Sequence, residues 1–251
     1  MNETITQIFE RKSTRVFTAQ PISAEDKALI LQSAAQAPTA GNQQLYTILD
    51  ITDPALRHAL AETCDHQPFI AQAQLVLIFC ADCKKWYDAF CDSGCQPRIP
   101  GVGDLALAIS DAAIAAQNAV VAAQSLGIGS CYIGDVMENC ALQRQLLHLP
   151  RYVFPACMLV FGYPTQQQRE RKKPLRAPME AIVHENGYHE MDAQALHFLL
   201  EHHVAPGNTY ENWIRSFCQR KYNSDFSREM TRSVAEYLQD YQQDRDTNSA
   251  L

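Results

Sequence analysis

Apolar positions along the chain follow two periods, and these place most of the elements. Between residues 104 and 125 apolar side chains recur at every third and fourth position (Leu105, Ile109, Ala112, Ala116, Val120, Ala123), which predicts a long alanine-rich helix. Small side chains let a helix axis approach what it packs on. This is therefore the expected central helix, set against a sheet and against a second subunit. Leu75-Val-Leu-Ile-Phe-Cys80 is apolar at every position and predicts a strand covered on both faces. Leu45 to Ile51 predicts another strand, and Ser130 to Ile133 and Cys157 to Phe161 two short ones. Ile5 and Ile8 predict a helix over residues 3 to 10, and Ser23 caps a second that runs to about Ala35 before Pro38 and Gly41. Asp53-Pro54 opens a third, and a fourth lies between Glu138 and Leu147. After Tyr188 the residues turn polar and two amphipathic helices are expected, near 193 to 201 and 225 to 242. Trp213, Phe217 and Tyr237 are their apolar anchors onto the same domain or a partner.

The chain has 251 residues and is 47% hydrophobic, enough for one sizeable core with an appended tail. The expected division is one main domain over 1 to 183 and a helical extension over 184 to 251. A net charge of −7 and a pI near 5.6 argue against nucleic acid as a partner, which needs a broad basic surface. The N-terminal residues MNETITQIFERKS lack an apolar leader and the chain carries nine cysteines, so free thiols in a reducing, cytoplasmic setting are expected. Ser110-Asp111 and Gln117-Asn118 interrupt the longest apolar stretch, which argues against a membrane span.

Against that acidic background stand two basic clusters. Arg11-Lys12-Ser13-Thr14-Arg15 sets three cations and two hydroxyls after the first helix, and Arg169 to Arg176 (RERKKPLR) is a second run. Arginine forks, a lysine point charge and hydroxyl donors are the groups that saturate the oxygens of a phosphate monoester. In an extended segment positions 11, 13 and 15 share a face, and Ile8, Val16 and Phe17 would anchor it. If the two clusters meet, a phosphorylated cofactor is the fitting ligand; a solvated surface is the plainer alternative.

Other motifs carry less. Gly101-Val-Gly103-Asp-Leu-Ala106 matches a dinucleotide fingerprint and opens a helix, but the prolines at 97 and 100 occupy the place where a strand should precede it. Cys80, Cys83, Cys91 and Cys95 could gather around a metal, although Cys80 ends a buried strand and WYDAF between them reads as a packed helix. No HExxH or GxSxG motif supplies a metalloenzyme or hydrolase reading.

Four separated pieces fit together: RKSTR at 11, Ala37-Pro-Thr-Ala-Gly-Asn-Gln43, Gly127-Ile-Gly-Ser-Cys-Tyr-Ile-Gly134, and Gly162-Tyr-Pro164 followed by KKPLRAP at 172. With them the chain resembles the nitroreductase family of FMN-dependent oxidoreductases, in particular the NADPH-preferring, oxygen-insensitive branch with a C-terminal extension. The resemblance covers residues 1 to about 183 and, more loosely, the tail. It implies an α+β fold, a mixed, mostly antiparallel sheet flanked by helices, in an intertwined homodimer. It implies FMN at each subunit interface, with NADPH or NADH as electron donor. Arg11, Lys12, Ser13 and Arg15 would hold the phosphate and ribityl chain together with Lys173 and Arg176. Pro38, Thr39 and Asn42 would contact the flavin ring, Asn42 in the neighbouring subunit. Gln67 would meet the polar edge of the ring, and Tyr132, Ile133, Gly134 and Asp135 would lie along its N5 edge. The family often shows Lys-x-Arg at the second clamp; Lys173-Pro-Leu-Arg176 is one residue longer, which leaves open whether Lys172 or Lys173 takes part.

The implied activity is electron transfer from NAD(P)H through bound FMN to nitroaromatics, quinones or free flavins by a ping-pong mechanism. A backbone N–H of Gly134 or Asp135 would serve N5 in place of a catalytic side chain, and glycines 127, 129 and 134 would permit close backbone approach. The expected partners are a small-molecule substrate and a second copy of the chain, with no nucleic acid and no membrane. Two alternatives stay open: a reductive dehalogenase on the same scaffold, with residues 84 to 103 as the loop that selects its acceptor, and a non-catalytic flavin sensor whose tail binds a partner.

Overall fold

A computed structural model of the chain describes residues 1–242. In chain order the elements are α1 (Glu3–Glu10), α2 (Ala24–Ala35), β1 (Tyr46–Asp50), α3 (Pro54–Thr63), α4 (Phe69–Gln72), β2 (Leu75–Asp82), α5 (Lys84–Asp92), α6 (Val102–Ser125), β3 (Gly129–Ile133), α7 (Cys140–Leu147), β4 (Val153–Gly162), α8 (Gln166–Glu170), α9 (Ala193–Leu200), α10 (Tyr210–Lys221) and α11 (Asp225–Leu238). The described residues divide into two compact units: 1–171 with 229–242, and 172–228. Residues 243–251 of the expected extension lie outside the described residues.

The first unit is built on a four-stranded sheet in the order β1-β2-β4-β3 with every neighbouring pair antiparallel. Among the described residues the parallel component of the expected mixed sheet is a single bridge, Ser13 to Ser130. The central strands are covered on both sides, as the unbroken apolar run of β2 requires. Val76, Ile78 and Cys80 face one core with Leu60, Tyr237 and the start of α6, while Leu75, Leu77 and Phe79 face the other with Ile30, Ala34 and the alanines of α6.

Local chemistry sets the helix starts. Ser23 accepts from the Asp26 N–H, and Asp53 accepts from the Ala55 N–H just before Pro54. By length and composition α6 could cross a bilayer, but Ala108, Ala112, Ala115, Ala116 and Ala119 are fully buried, which makes it the core helix of this unit. β4 begins four residues before the Cys157 to Phe161 segment, and the reason is Pro155. It pairs with Cys80 at a register shift in the ladder, a bulge that accommodates the missing donor inside a central strand.

The last helix closes the first core. Tyr237 is fully buried, edge-on to Phe154 at 5.1 Å, and Tyr241 meets Tyr152. Tyr237 is thus an anchor on its own chain. Asn139, in the left-handed region, begins α7 without a side-chain cap of its own. α11 supplies the cap instead, because the Asn139 N–H donates to Glu229 Oε1 at 3.1 Å and the Cys140 N–H to Ser233 Oγ at 3.0 Å.

In the second unit the turn after α9 and the helix α10 carry a ring cluster: His203 stacks on Trp213 at 5.2 Å, with Phe217 next to it. Ala181 is its one buried apolar residue.

The segment 13–18 lies across the end of the β3-β4 pair. Thr14 N–H donates to Ser130 O at 2.9 Å and Thr18 N–H to Tyr163 O at 2.8 Å. Gly129 and Gly162 pair with each other beneath it. A Cβ on Gly129 would stand 2.5 Å from Thr14 Oγ1, and one on Gly162 2.7 Å from the Phe17 ring. The anchors are therefore buried Thr14 and half-buried Phe17; Ile8 and Val16, expected to hold the segment, are exposed. Gly162→Ala should lower the unfolding free energy by about 1 to 3 kcal/mol through overpacking against Phe17. Urea denaturation of the two proteins measures it, and equal midpoints would disprove the contact.

Candidate functional site

The docked segment brings the first basic cluster onto β3. Arg11 lies over the Tyr132 ring at 6.0 Å, and the Tyr132 hydroxyl donates to Gln117 Oε1 of α6 at 3.3 Å. The Ser13 hydroxyl is hydrogen-bonded to the thiol of buried Cys131; burial pushes that thiol up, while Arg15, Ser13 and Arg11 pull it down. Arg15 is exposed, rests on the Phe69 ring at 5.9 Å and makes no ion pair among the described residues. A cation shelved on a ring beside neutral donors is suited to an anionic ligand.

Lys12 takes a different place. Its ammonium donates to the carbonyl oxygens of Arg169 and Arg171, and the Arg171 guanidinium donates back to Ser13 O at 2.6 Å. The start of the second basic run and RKSTR thus clasp each other through backbone carbonyls. Lys173 and Arg176 belong to the second unit, where Arg176 donates to Pro174 O at 3.5 Å.

Gln67 stands two residues before Phe69, fixed by its N–H to Ala61 O and its side-chain amide to Cys64 O at 2.8 Å. Ile133 is buried at the end of β3. Beyond it the carbonyls of Gly134 and Asp135 accept from the N–H groups of Met137 and Glu138 and close a short 3-10 turn. A Cβ on Gly134 would meet only the Met137 methyl, at 3.7 Å, so the space beside this glycine is open. Gly127 serves the end of α6 with φ +72, and Gly129 serves the docked segment.

The turn after α2 has an organiser that the periodicity did not reveal. Asp111 of α6 is 2% exposed and accepts three hydrogen bonds: from Thr39 Oγ1 at 2.5 Å, Ala40 N–H at 2.9 Å and Leu45 N–H at 3.1 Å. Pro38 and Asn42 are left on the surface, with Gly41, Asn42 and Gln44 in the left-handed region. In the sequence Asp111 is an interruption of an apolar helix, and an acid facing a core is the signal that could have found it. Asp111 and Gln117 lie about 9 Å apart along α6, so one helix positions both Thr39 and Tyr132.

Glu138 follows directly. It is 5% exposed, and its Oε1 has no hydrogen-bond partner among the described residues. Burial, with Asp135, Asp65 and Glu229 as neighbouring carboxylates, pushes it up to about 7.

The four cysteines do not gather. Cys80 and Cys83 are buried thiols pushed up to about 12 by burial, Cys91 and Cys95 are exposed, and no group of three or more metal-ligating side chains exists among the described residues. Gly101 opens α6 through Asp104, which accepts its N–H at 2.8 Å.

The first unit is thus an α+β layer structure with a cationic segment docked on β3. The nitroreductase family profile matches residues 8–163, and the chain belongs to that family. It is 32% identical to an FMN reductase [NAD(P)H] of Bacillus subtilis over 95% of this chain and 92% of that protein. It is 34% identical to an oxygen-insensitive NADPH nitroreductase of Salmonella typhimurium over 78% and 79%. The structure of an NADPH:FMN oxidoreductase from Vibrio harveyi complexed with NAD+ superposes with a TM-score of 0.80 at 26% identity, covering 94% of this chain and 98% of that one.

Two outcomes check the electrostatics. Asp111→Ala leaves three donors without their acceptor and should cost about 2 to 4 kcal/mol in chemical denaturation, with faster amide exchange over residues 39–45. Glu138 binds its proton more tightly folded than unfolded, so its contribution to stability falls as pH rises from about 4.5 to about 7. Glu138→Gln should therefore gain up to about 3 kcal/mol on the parent between pH 5 and pH 8; a pH-independent difference would disprove the shift.

Proposed function

We propose that this chain is an NAD(P)H-dependent oxidoreductase that holds FMN and passes electrons to nitroaromatics, quinones or free flavins. The observation that carries the reading is the docking of residues 13–18 on β3 and the end of β4, which sets Ser13 beside Ser130, Arg11 over Tyr132 and Arg15 over Phe69. The donor set fits a phosphate monoester: two guanidinium forks and a hydroxyl, with Arg15 lacking an acidic partner among the described residues. The names of the relatives, FMN reductase and NADPH nitroreductase, support the same cofactor and donor.

Bound FMN would supply the redox chemistry, accepting hydride at N5 and giving the electrons up again. The chain's part is to hold and to aim. Arg11, Ser13 and Arg15 bind the phosphate end. Lys12 ties down the 169–171 backbone that closes the grip. Gln67 meets the polar edge of the ring, and Tyr132, Ile133, Gly134 and Asp135 line its other edge. The space beside Gly134 suits backbone donation there. Pro38, Thr39 and Asn42, held out by Asp111, contact the ring system, Asn42 that of a second copy. The homodimer reading is supported by apolar side chains exposed on α1 (Ile5, Ile8, Phe9) and by the thin core of the second unit. The functional domain is read as residues 1–183, with the C-terminal extension after it.

The test is anaerobic spectroscopy of the purified chain. The flavin band should bleach on addition of NADPH or NADH and return on addition of a quinone. A coloured protein that neither nucleotide bleaches would overturn the reductase reading in favour of a sensor. Arg15→Ala should weaken FMN binding by about 2 kcal/mol, roughly 30-fold in Kd; unchanged affinity by titration would remove Arg15 from the phosphate grip.

A further inference from the structure

The four cysteines between residues 80 and 95 separate into two pairs of opposite character. Cys80 and Cys83 are buried, and the burial that pushes their thiols up to about 12 keeps them unreactive. Cys91 and Cys95 are exposed; among the described residues the other exposed thiol is Cys218, on α10 of the second unit. Two thiols are too few for zinc or an iron–sulfur cluster, and no group of three or more metal-ligating side chains exists among the described residues. Their remaining chemistry is with each other.

The backbone brings this pair together. Gly94 stands in the left-handed region at φ +76, its N–H donates to Cys91 O at 3.0 Å, and the Cys95 N–H donates to Phe90 O at 2.9 Å. This double closure ends α5 and folds residue 95 back over the last turn of the helix. On a regular helix Cα atoms four residues apart are roughly 6 Å from each other, and here Cys95 is bonded one residue further back. A disulfide spans Cα separations of about 4.4 to 6.8 Å, so the closure matches its reach.

The pair also has something to act on. α5, with Trp86, Tyr87 and Phe90, and the loop after it, with Pro97 and Pro100, form two walls of a cavity of about 290 Å³ that Leu107 of α6 completes. The Cys91 thiol is hydrogen-bonded to the Tyr87 hydroxyl. The Tyr87 ring lies 5.6 Å from Tyr152, and Tyr152 meets Tyr241 of the tail at 5.7 Å. A bond between Cys91 and Cys95 takes the thiol partner from Tyr87 and ties the end of α5 to the start of the loop.

We propose that Cys91 and Cys95 form a reversible dithiol–disulfide pair that a low-molecular-weight disulfide oxidises. One thiolate attacks the reagent, which gives a mixed disulfide and releases one thiol; the second cysteine then attacks the mixed sulfur and releases the other. The pair loses two electrons and two protons, and the reagent leaves as two thiols. The proposal does not depend on the reductase reading.

The test incubates the purified full chain in glutathione buffers and reads its tryptic peptides by mass spectrometry. Residues 86–98 (WYDAFCDSGCQPR) carry both cysteines in one peptide, which should become lighter by two hydrogen atoms on oxidation and regain them with dithiothreitol. The effective concentration of one thiol at the other is on the order of 1 mM or more, so at about 0.1 mM reduced glutathione the internal disulfide should exceed the mixed adduct about 10-fold or more. Cys95→Ser removes the resolving thiol and should leave Cys91 as a lasting glutathione adduct. A peptide that keeps both thiols while Cys218 reacts, one that accumulates glutathione on both cysteines, or a disulfide found only between two chains overturns the proposal.

Discussion

The close seat of α6 on the sheet is the constraint on which the rest of the first unit depends. Its inner face is a row of fully buried alanines, and side chains that small let the helix lie against β2 and β4 without a gap. From that fixed axis it reaches three places at once: Asp104 and Leu107 at the cavity beside α5, Asp111 under the 39–45 turn, and Gln117 at the Tyr132 hydroxyl. A shift of the helix would move all of them together. The polar residues that break its apolar pattern are therefore the ones that transmit its position.

The second organising contact is the passage of residues 13–18 over the β3-β4 end. It works by absence, since the paired glycines 129 and 162 leave room for Thr14 and Phe17. Backbone hydrogen bonds and the Lys12 and Arg171 contacts then hold a run of cations in place on an acidic protein. Like charges gathered in this way repel one another. Bonding Lys12 and Arg171 to carbonyl oxygens uses part of that charge structurally and leaves Arg15 to face outward.

The tail is part of the same machinery. α11 supplies the cap that α7 lacks, with Glu229 held at about 2 by hydrogen bonds from Arg232, Ser233 and the Asn139 backbone. α7 in turn follows the Gly134 to Glu138 turn, so the last helix supports the segment that leaves β3. Around Glu138 several carboxylates converge, and a buried acid among acids holds its proton longer than an exposed one.

Local and periodic features were legible in the sequence. The caps at Ser23 and Asp53, the two-sided burial of β2 and the alanine helix follow from side-chain chemistry within a few residues. The four motif pieces were legible as a set and led to the family. Other features depended on distant groups. Pro155 argues against a strand until the bulge opposite Cys80 is known. Lys12 has the chemistry of a phosphate ligand, and only the fold shows that its ammonium also donates to the Arg169 and Arg171 carbonyls. Tyr237 has the character of a partner anchor until Phe154 is set against its face. By itself the sequence determined most of the helices and strands, though not α4 or α10, and which side chains have the chemistry for an anion. Only the tertiary structure decided which of those cations bond to backbone carbonyls and which acid holds the turn, because hydrogen bonds and burial are satisfied by neighbours in space, often more than a hundred residues away along the chain.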